Sequence, residues 1–246
     1  FSDVYTWSSC IVDMRICRQT EKNGENMEKS NRCILVCAGD LEISEIPVRE
    51  GDLVIAVDGG CMYCEVLDIE SDIIIGDFDS LTEEYICRLE EEGCGKEKKK
   101  KQIIRLNPVK DDTDTLAAIR LGLQKGYREF HLYGAMGGRL EHTIANLQCL
   151  HYLKEEGATG YLWDGNMMAT VIVNESISFR REMEGMVSVF ATGGIASGVT
   201  EKGLKYLLND AKITSSFPIG VSNEFIGDAA EISVKDGALL IIVRWT

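Results

Sequence analysis

Three consecutive isoleucines, Ile73, Ile74 and Ile75, constrain this chain more than any other feature. An unbroken β-branched run has no polar face to turn toward water. It reads as a strand covered on both sides, the kind found in parallel sheets. Gly76 ends the run, and Asp77, Phe78, Asp79 and Ser80 follow. In an extended chain residues i and i+2 share a face, so both carboxylates are expected to point the same way from the end of a core strand. The carboxyl end of such a strand is where open α/β sheets bind ligands. Two like charges held together require a cation or an upward pKa shift. A hard divalent ion such as Mg2+, shared with substrate phosphates, suits them.

The same grammar recurs along the chain. Cys33–Ala38 reads as the first strand, with Gly39-Asp40 as its turn, and Leu53–Val57 as the second. Gln102–Leu106 and Phe130–Tyr133 are further strands. Helical patterns lie between them: Thr82–Glu92, a helix opened by the run Lys110–Thr115 and stopped by Gly126, and one running to Glu156. In the last, Ile144, Leu147, Leu150 and Leu153 recur every third residue as a buried stripe. This alternation predicts a three-layer α/β domain with a mostly parallel sheet over residues 30–160.

From Tyr161 the pattern changes to short strand-like pieces, among them Leu162–Trp163, Ala169–Val173 and Leu204–Leu207, punctuated by turns such as Asp164-Gly165 and Asp236-Gly237. Residues 161–246 read as an all-β, sandwich-like domain. Residues 1–29 carry no clear period and receive no role, and Met27 is the expected native start.

The formal net charge of −14 decides what the chain avoids. Such a surface repels nucleic acid and anionic lipid, so neither is an expected partner. It also repels free nucleotides, so a nucleotide site must bring local positive charge or a metal. No apolar run approaches the roughly 20 residues of a membrane span. Nine scattered cysteines, an odd number, fit a reduced cytoplasmic protein rather than a disulfide framework. Cys61 and Cys64 have CxxC spacing but no second pair to complete a zinc site, so they are expected as small apolar residues on a helix face.

Three further stretches carry chemistry. Asp58-Gly59-Gly60 follows a strand, where glycines permit close backbone approach to a ligand or make a plain tight turn. Asp111, Asp112 and Asp114 crowd the start of a helix; caps and the macrodipole favour acids there, yet three in four positions equally suit a metal or phosphate role. Gly134–Gly138 forms a flexible loop before Arg139 and His142 at a helix start, a combination that suits an anion.

In this order and spacing the motifs resemble the thiamine pyrophosphokinase family. The pieces are Ala56–Gly60, Gly76–Ser80, Asp111–Asp114, Gly134–Asn146, Gly203–Tyr206 and Ser222–Glu224. The resemblance spans about residues 33 to 243 and implies the same fold, an α/β catalytic domain followed by a β-sandwich domain. It implies an enzyme that moves a pyrophosphoryl group from ATP to the thiamine hydroxyl, giving thiamine diphosphate and AMP. It also implies a homodimer with thiamine bound between subunits.

Carried over to this chain, Asp77, Asp79 and Asp114 resemble the Mg2+ ligands. Asp58, Gly59, Gly60 and Thr113 resemble parts of the ATP site, and Arg139 and Asn146 line the nucleotide. Arg139 also offsets charge on the reacting polyphosphate. Ser222 and Asn223 match the segment that meets thiamine, and Phe225 is a candidate for stacking on its aminopyrimidine. Glu141 departs from the pattern, which commonly has aspartate there. Two other readings are a pyrophosphokinase acting on a hydroxymethyl-pterin and a nucleotide-binding sensor without catalysis.

Overall fold

The computed structural model describes residues 14–18, 31–79, 81–92, 101–107 and 111–246, with backbone alone at 14–18 and 90–92. Met27 and Ser80 lie outside the described residues. The chain divides into two compact units, one of Glu28–Gly165 and the other of Asn166–Thr246 together with the strand at Met14–Arg18.

The first unit contains strands β2 (Arg32–Val36), β3 (Leu53–Val57), β4 (Ile73–Gly76), β5 (Gln102–Arg105), β6 (Glu129–Tyr133) and β7 (Thr159–Asp164). Its helices are α1 (Gly60–Val66), α2 (Glu83–Glu92), α3 (Asp114–Gln124) and α4 (Leu140–Glu155). The strands pair in the order β7-β6-β2-β3-β4-β5, parallel throughout. β2, β3 and β4 are buried at every position, so both faces of the sheet are covered; their sequences are apolar save Arg32, which is buried in an ion pair with Asp52. α3 contributes Ala118 and Ile119 to the core, and α4 contributes Leu150 and Leu153. β5 is the edge, with exposed residues at both ends.

From β2 the chain builds β3, β4 and β5 to one side and then returns to lay β6 and β7 on the other. This reversal of strand order opens a crevice at the carboxyl ends of β2 and β6. β7 pairs in parallel with β6 through Glu129↔Thr159 to Tyr133↔Trp163. Leu162 and Trp163, expected in the all-β domain, therefore belong to the parallel sheet. The boundary expected at residue 160 falls after Gly165.

A polar network lies inside this sheet. His131 is fully buried, and Trp163 Nε1 donates to its Nδ1 at 3.0 Å. Indole nitrogen is a donor only, so Nδ1 is the acceptor and Nε2 carries the proton toward Glu129 Oε1 at 2.9 Å.

The second unit is antiparallel. Its strands are β1 (Met14–Arg18), β8 (Met167–Val173), β9 (Glu175–Phe179), β10 (Met186–Lys202), β11 (Leu208–Thr214), β12 (Gly220–Glu224), β13 (Ala230–Ser233) and β14 (Asp236–Arg244). β10 organises it. Its first half pairs with β12 and β14, and its second half pairs with β11 and β13. A register shift between Thr192 and Ser197 separates the halves. A strand that bends from one set of partners to another is how a sandwich turns its corner.

Two expectations change here. β1 pairs with β9, Met14 opposite Phe179, so the stretch given no role supplies a strand. Leu204–Leu207 is not a strand; only Leu204 makes an isolated bridge, to Phe225.

Candidate active site

Segments after β2, β3, β4 and β6, with the start of α3, line one cleft of about 340 Å³ in the first unit. Asp40, Asp58, Asp79, Thr113, Asp114, Arg139, His142 and Asn146 all face it. The alternation of strand and helix puts every one of them at the carboxyl side of the sheet.

Asp58 and Asp77 directly follow the neighbouring strands β3 and β4. Asp58 adopts a left-handed backbone (φ 51°) and its N–H donates to the Ile75 carbonyl at 2.8 Å. The chain after β4 does not stay extended as expected. Phe78 is also left-handed (φ 61°), and the Asp79 N–H turns back to Asp77 Oδ1 at 3.2 Å. A bulky residue in that region costs on the order of 1–3 kcal/mol. The Phe78 ring is only 4% exposed, and its burial offsets that cost. The two aspartates therefore converge through a turn, not through strand pleating.

The turn brings carboxylate oxygens of Asp58, Asp77 and Asp79 within 4.8 Å of one another. Three anionic oxygen donors so close fit a hard divalent cation, which prefers carboxylate ligands and leaves positions for phosphate oxygens. Asp58, expected on the nucleotide, thus joins the acidic cluster. Asp114, expected as a ligand, shares the cleft but lies outside that group.

Around the cluster the neighbours divide the work. Thr113 caps α3, its Oγ1 accepting the Leu116 N–H at 3.2 Å, which places Asp114 in the first helical turn. Asp112 pairs with Arg120 instead of facing the cleft. Asn146 is buried and donates to the Ala135 carbonyl at 2.7 Å, tying α4 to the loop after β6. Arg139 sits at the N-cap of α4, largely exposed, with Nε on Glu141 Oε1 at 2.8 Å. A solvated pair of this kind is weak, so the guanidinium can exchange to an anion.

Gly59 and Gly60 do not line the cleft. A Cβ at Gly60 would collide with the Val36 carbonyl, so this glycine serves the packing of α1 against β2. Asp40, read from sequence only as part of a turn, holds the glycine loop: its Oδ2 accepts the Gly138 N–H at 2.7 Å. The rule that flagged Asp58, an acid just beyond a core strand, marks Asp40 as well.

Ser222, Asn223 and Phe225 lie in the second unit. Ser222 is exposed and left-handed (φ 59°), its N–H donating to Ser188 Oγ at 3.0 Å. Asn223 is buried, and hydrogen bonds inside the unit use its amide. Phe225 packs edge-on against Phe179, centroids 5.2 Å apart. Cys61 and Cys64 are buried on α1, and burial pushes the Cys64 thiol up to about 12. They are core residues, as expected.

A carboxylate cluster beside a glycine loop and a helix-borne arginine, on a parallel sheet joined to an antiparallel unit, defines an enzyme of phosphoryl-type transfer. Comparison with known proteins narrows the class. The family model "Thiamin pyrophosphokinase, catalytic domain" matches residues 48–162, and "Thiamin pyrophosphokinase, vitamin B1 binding domain" matches residues 174–239. Thiamine pyrophosphokinase of Bacillus subtilis is 27% identical over 197 residues, 78% of this chain and 87% of that protein. The crystal structure of thiamine pyrophosphokinase from Bacillus subtilis superposes with a TM-score of 0.76 at 25% identity, covering 87% of this chain and 99% of that one. A thiamin pyrophosphokinase family protein from Enterococcus faecalis gives 0.73 at 27% identity, over 88% and 100%. Thiamin pyrophosphokinase from Candida albicans, 14% identical with a TM-score of 0.69 over 95% and 99%, shares the fold. The chain belongs to the thiamin pyrophosphokinase family.

Proposed function

We propose that this enzyme transfers the pyrophosphoryl group of ATP to the hydroxyl of thiamine, giving thiamine diphosphate and AMP, with Mg2+ as cofactor. The observation that carries the reading is the convergence of the Asp58, Asp77 and Asp79 carboxylates, two of which, Asp58 and Asp79, line the cleft that Asp114 and Arg139 also face.

In this reading Asp58, Asp77 and Asp79 would hold the cation, and Asp114 lines the same cleft as Asp58 and Asp79. Bound Mg2+ would supply charge neutralisation for the polyphosphate. The protein's own part is positioning. Arg139 takes the phosphates from the mouth of α4, and the Gly134–Gly138 loop bends around them. Asn146 keeps that loop seated. The thiamine hydroxyl attacks the β-phosphorus in line, the bond from that phosphorus to the α-phosphate oxygen breaks, and AMP and the hydroxyl proton leave. Transfer of this kind depends on alignment and charge rather than on covalent help.

Ser222 and Phe225 are proposed to meet thiamine, and Asn223 to hold them in place. The assembly proposed is a homodimer with thiamine between subunits. Its support is an apolar surface: Ile195, Tyr206, Leu207, Phe217, Ile219 and Ile226 of the second unit are all exposed. The proposed compartment is the cytoplasm, supported by the free thiols of Cys33, Cys37, Cys61, Cys64, Cys87 and Cys149; no helix among the described residues is long and apolar enough to cross a membrane.

A product assay tests the function. Purified protein with ATP, Mg2+ and thiamine should yield thiamine diphosphate and AMP in equal amounts. ATP hydrolysed to ADP, or AMP formed only with a pterin alcohol, would overturn the acceptor.

A further inference from the structure

Glu201 is the anomaly of the second unit. It lies in the second half of β10, where apolar side chains such as Val199 and Ile232 surround the interior. Its side chain is 3% exposed, its Oε2 accepts from Asn223 Nδ2 at 2.7 Å, and its Oε1 has no hydrogen-bond partner among the described residues. A buried carboxylate with an idle oxygen is costly to keep. Its value lies in what it does to Asn223.

The Asn223 amide makes four hydrogen bonds. Nδ2 donates to Glu201 Oε2 and, at 2.6 Å, to the Tyr206 carbonyl. Oδ1 accepts the Tyr206 N–H at 2.9 Å and the Glu224 N–H at 3.0 Å. An amide can flip, and in the flipped state its NH2 would face two backbone donors. A carboxylate, an acceptor when ionised, permits only the orientation seen. That orientation clamps the turn at Tyr206 to the strand that carries Ser222, whose left-handed backbone needs outside support.

We propose that Glu201 is a positioning residue for the acceptor: through Asn223 it holds Ser222 and the Tyr206 turn in the geometry that recognises thiamine. The proposal rests on the reading that the Ser222–Phe225 segment meets thiamine. Burial pushes the Glu201 carboxyl up and the Asn223 N–H pulls it back, so the hydrogen bond matters to the acid as well.

Two substitutions in the full chain separate the outcomes. Glu201→Gln keeps an acceptor oxygen in nearly the same volume. Glu201→Met keeps the volume and removes the acceptor. Kinetics at saturating Mg2+ should give Glu201→Gln a KM for thiamine within about twofold of wild type, and Glu201→Met a KM raised about tenfold, the scale of one lost hydrogen bond. KM for ATP should stay unchanged in both, which a general loss of structure would not allow. Titration of thiamine in the presence of a non-hydrolysable ATP analogue should show the same split. A Glu201→Met protein with wild-type KM for thiamine, or with equal losses toward thiamine and ATP, overturns the proposal. If Glu201→Met does not fold, Glu201→Leu takes its place as the acceptor-free variant: a KM for thiamine raised about tenfold supports the proposal, and a wild-type KM overturns it. A wild-type protein that makes no thiamine diphosphate defeats the acceptor reading itself, whereas an active wild type with unaffected variants defeats only the role of Glu201.

Discussion

The carboxylate of Asp40 accepts the backbone N–H of Gly138 at 2.7 Å, so the turn after the first strand of the parallel sheet holds the loop after its fifth. The two residues are 98 apart in sequence. Asp40→Ala should therefore loosen the loop and raise KM for ATP roughly two- to tenfold, with KM for thiamine unchanged. Steady-state kinetics on both substrates checks this. Gly137 extends the test: it is left-handed (φ 80°), and a Cβ there would press on Asp40. Gly137→Ala should harm the wild type more than the Asp40→Ala background, since removing the carboxylate takes away part of the clash and leaves the contact with the residue 40 Cβ and the backbone strain.

Asp77→Asn should lower turnover at least about a hundredfold while changing the melting temperature by only a few degrees. Equal loss of activity and stability would make Asp77 a structural acid. The same variant predicts a thermal signature. Mg2+ at about a hundred times its Kd should stabilise the wild type by about 2.7 kcal/mol, and Asp77→Asn should lose most of that shift. Differential scanning calorimetry with and without a chelator reads both.

His131 predicts a pH response. Burial holds its imidazole below the usual value of 6.5, with the Glu129 hydrogen bond opposing only in part. The unfolded chain then binds the proton first. Stability from neutral His131 is full above about pH 6.5 and is lost as pH falls below that value. Melting temperatures from pH 7.5 to 5 should fall, and His131→Gln, less stable at pH 7.5, should show a flatter profile. An equally steep profile in the variant would assign the acid sensitivity to other groups.

The buried thiols should resist alkylation. Burial pushes Cys37 and Cys64 up to about 12, so almost no thiolate forms at pH 8, whereas Cys87 is exposed. Iodoacetamide followed by peptide mass mapping should label Cys87 within minutes and leave Cys37 and Cys64 unmodified until denaturant is added. Rapid labelling of Cys64 in the native protein would reveal an opening of α1.

The parallel sheet was legible because Ile73–Ile75 and Leu53–Val57 have no polar face, and only a doubly covered strand tolerates that. The cleft was legible for the same reason, since acids just beyond such strands must sit at the ligand end. The grouping of those acids was not. Nothing in sequence announces a left-handed phenylalanine, so the turn at Phe78 and the nearness of Asp58 to Asp77 emerge only from the fold. Trp163 pointed the wrong way because a two-residue apolar piece fits either kind of sheet. β11 escaped because Leu208–Thr214 has a single buried residue, Ile213, and lacks alternation. Glu201 carried no sequence signal of its own, yet it shares the inward parity of Val199.

The bond from the Asp58 N–H to the Ile75 carbonyl ties the residue just after one strand to its neighbour near its end, and the Asp58 side chain belongs to the carboxylate triad. On the proposed function, mutual repulsion of these charges should loosen the strand ends without a cation, and a bound cation should hold them together. Deuterium uptake at the Asp58 amide should then fall when Mg2+ is added, a readout of metal occupancy that needs no substrate and no turnover.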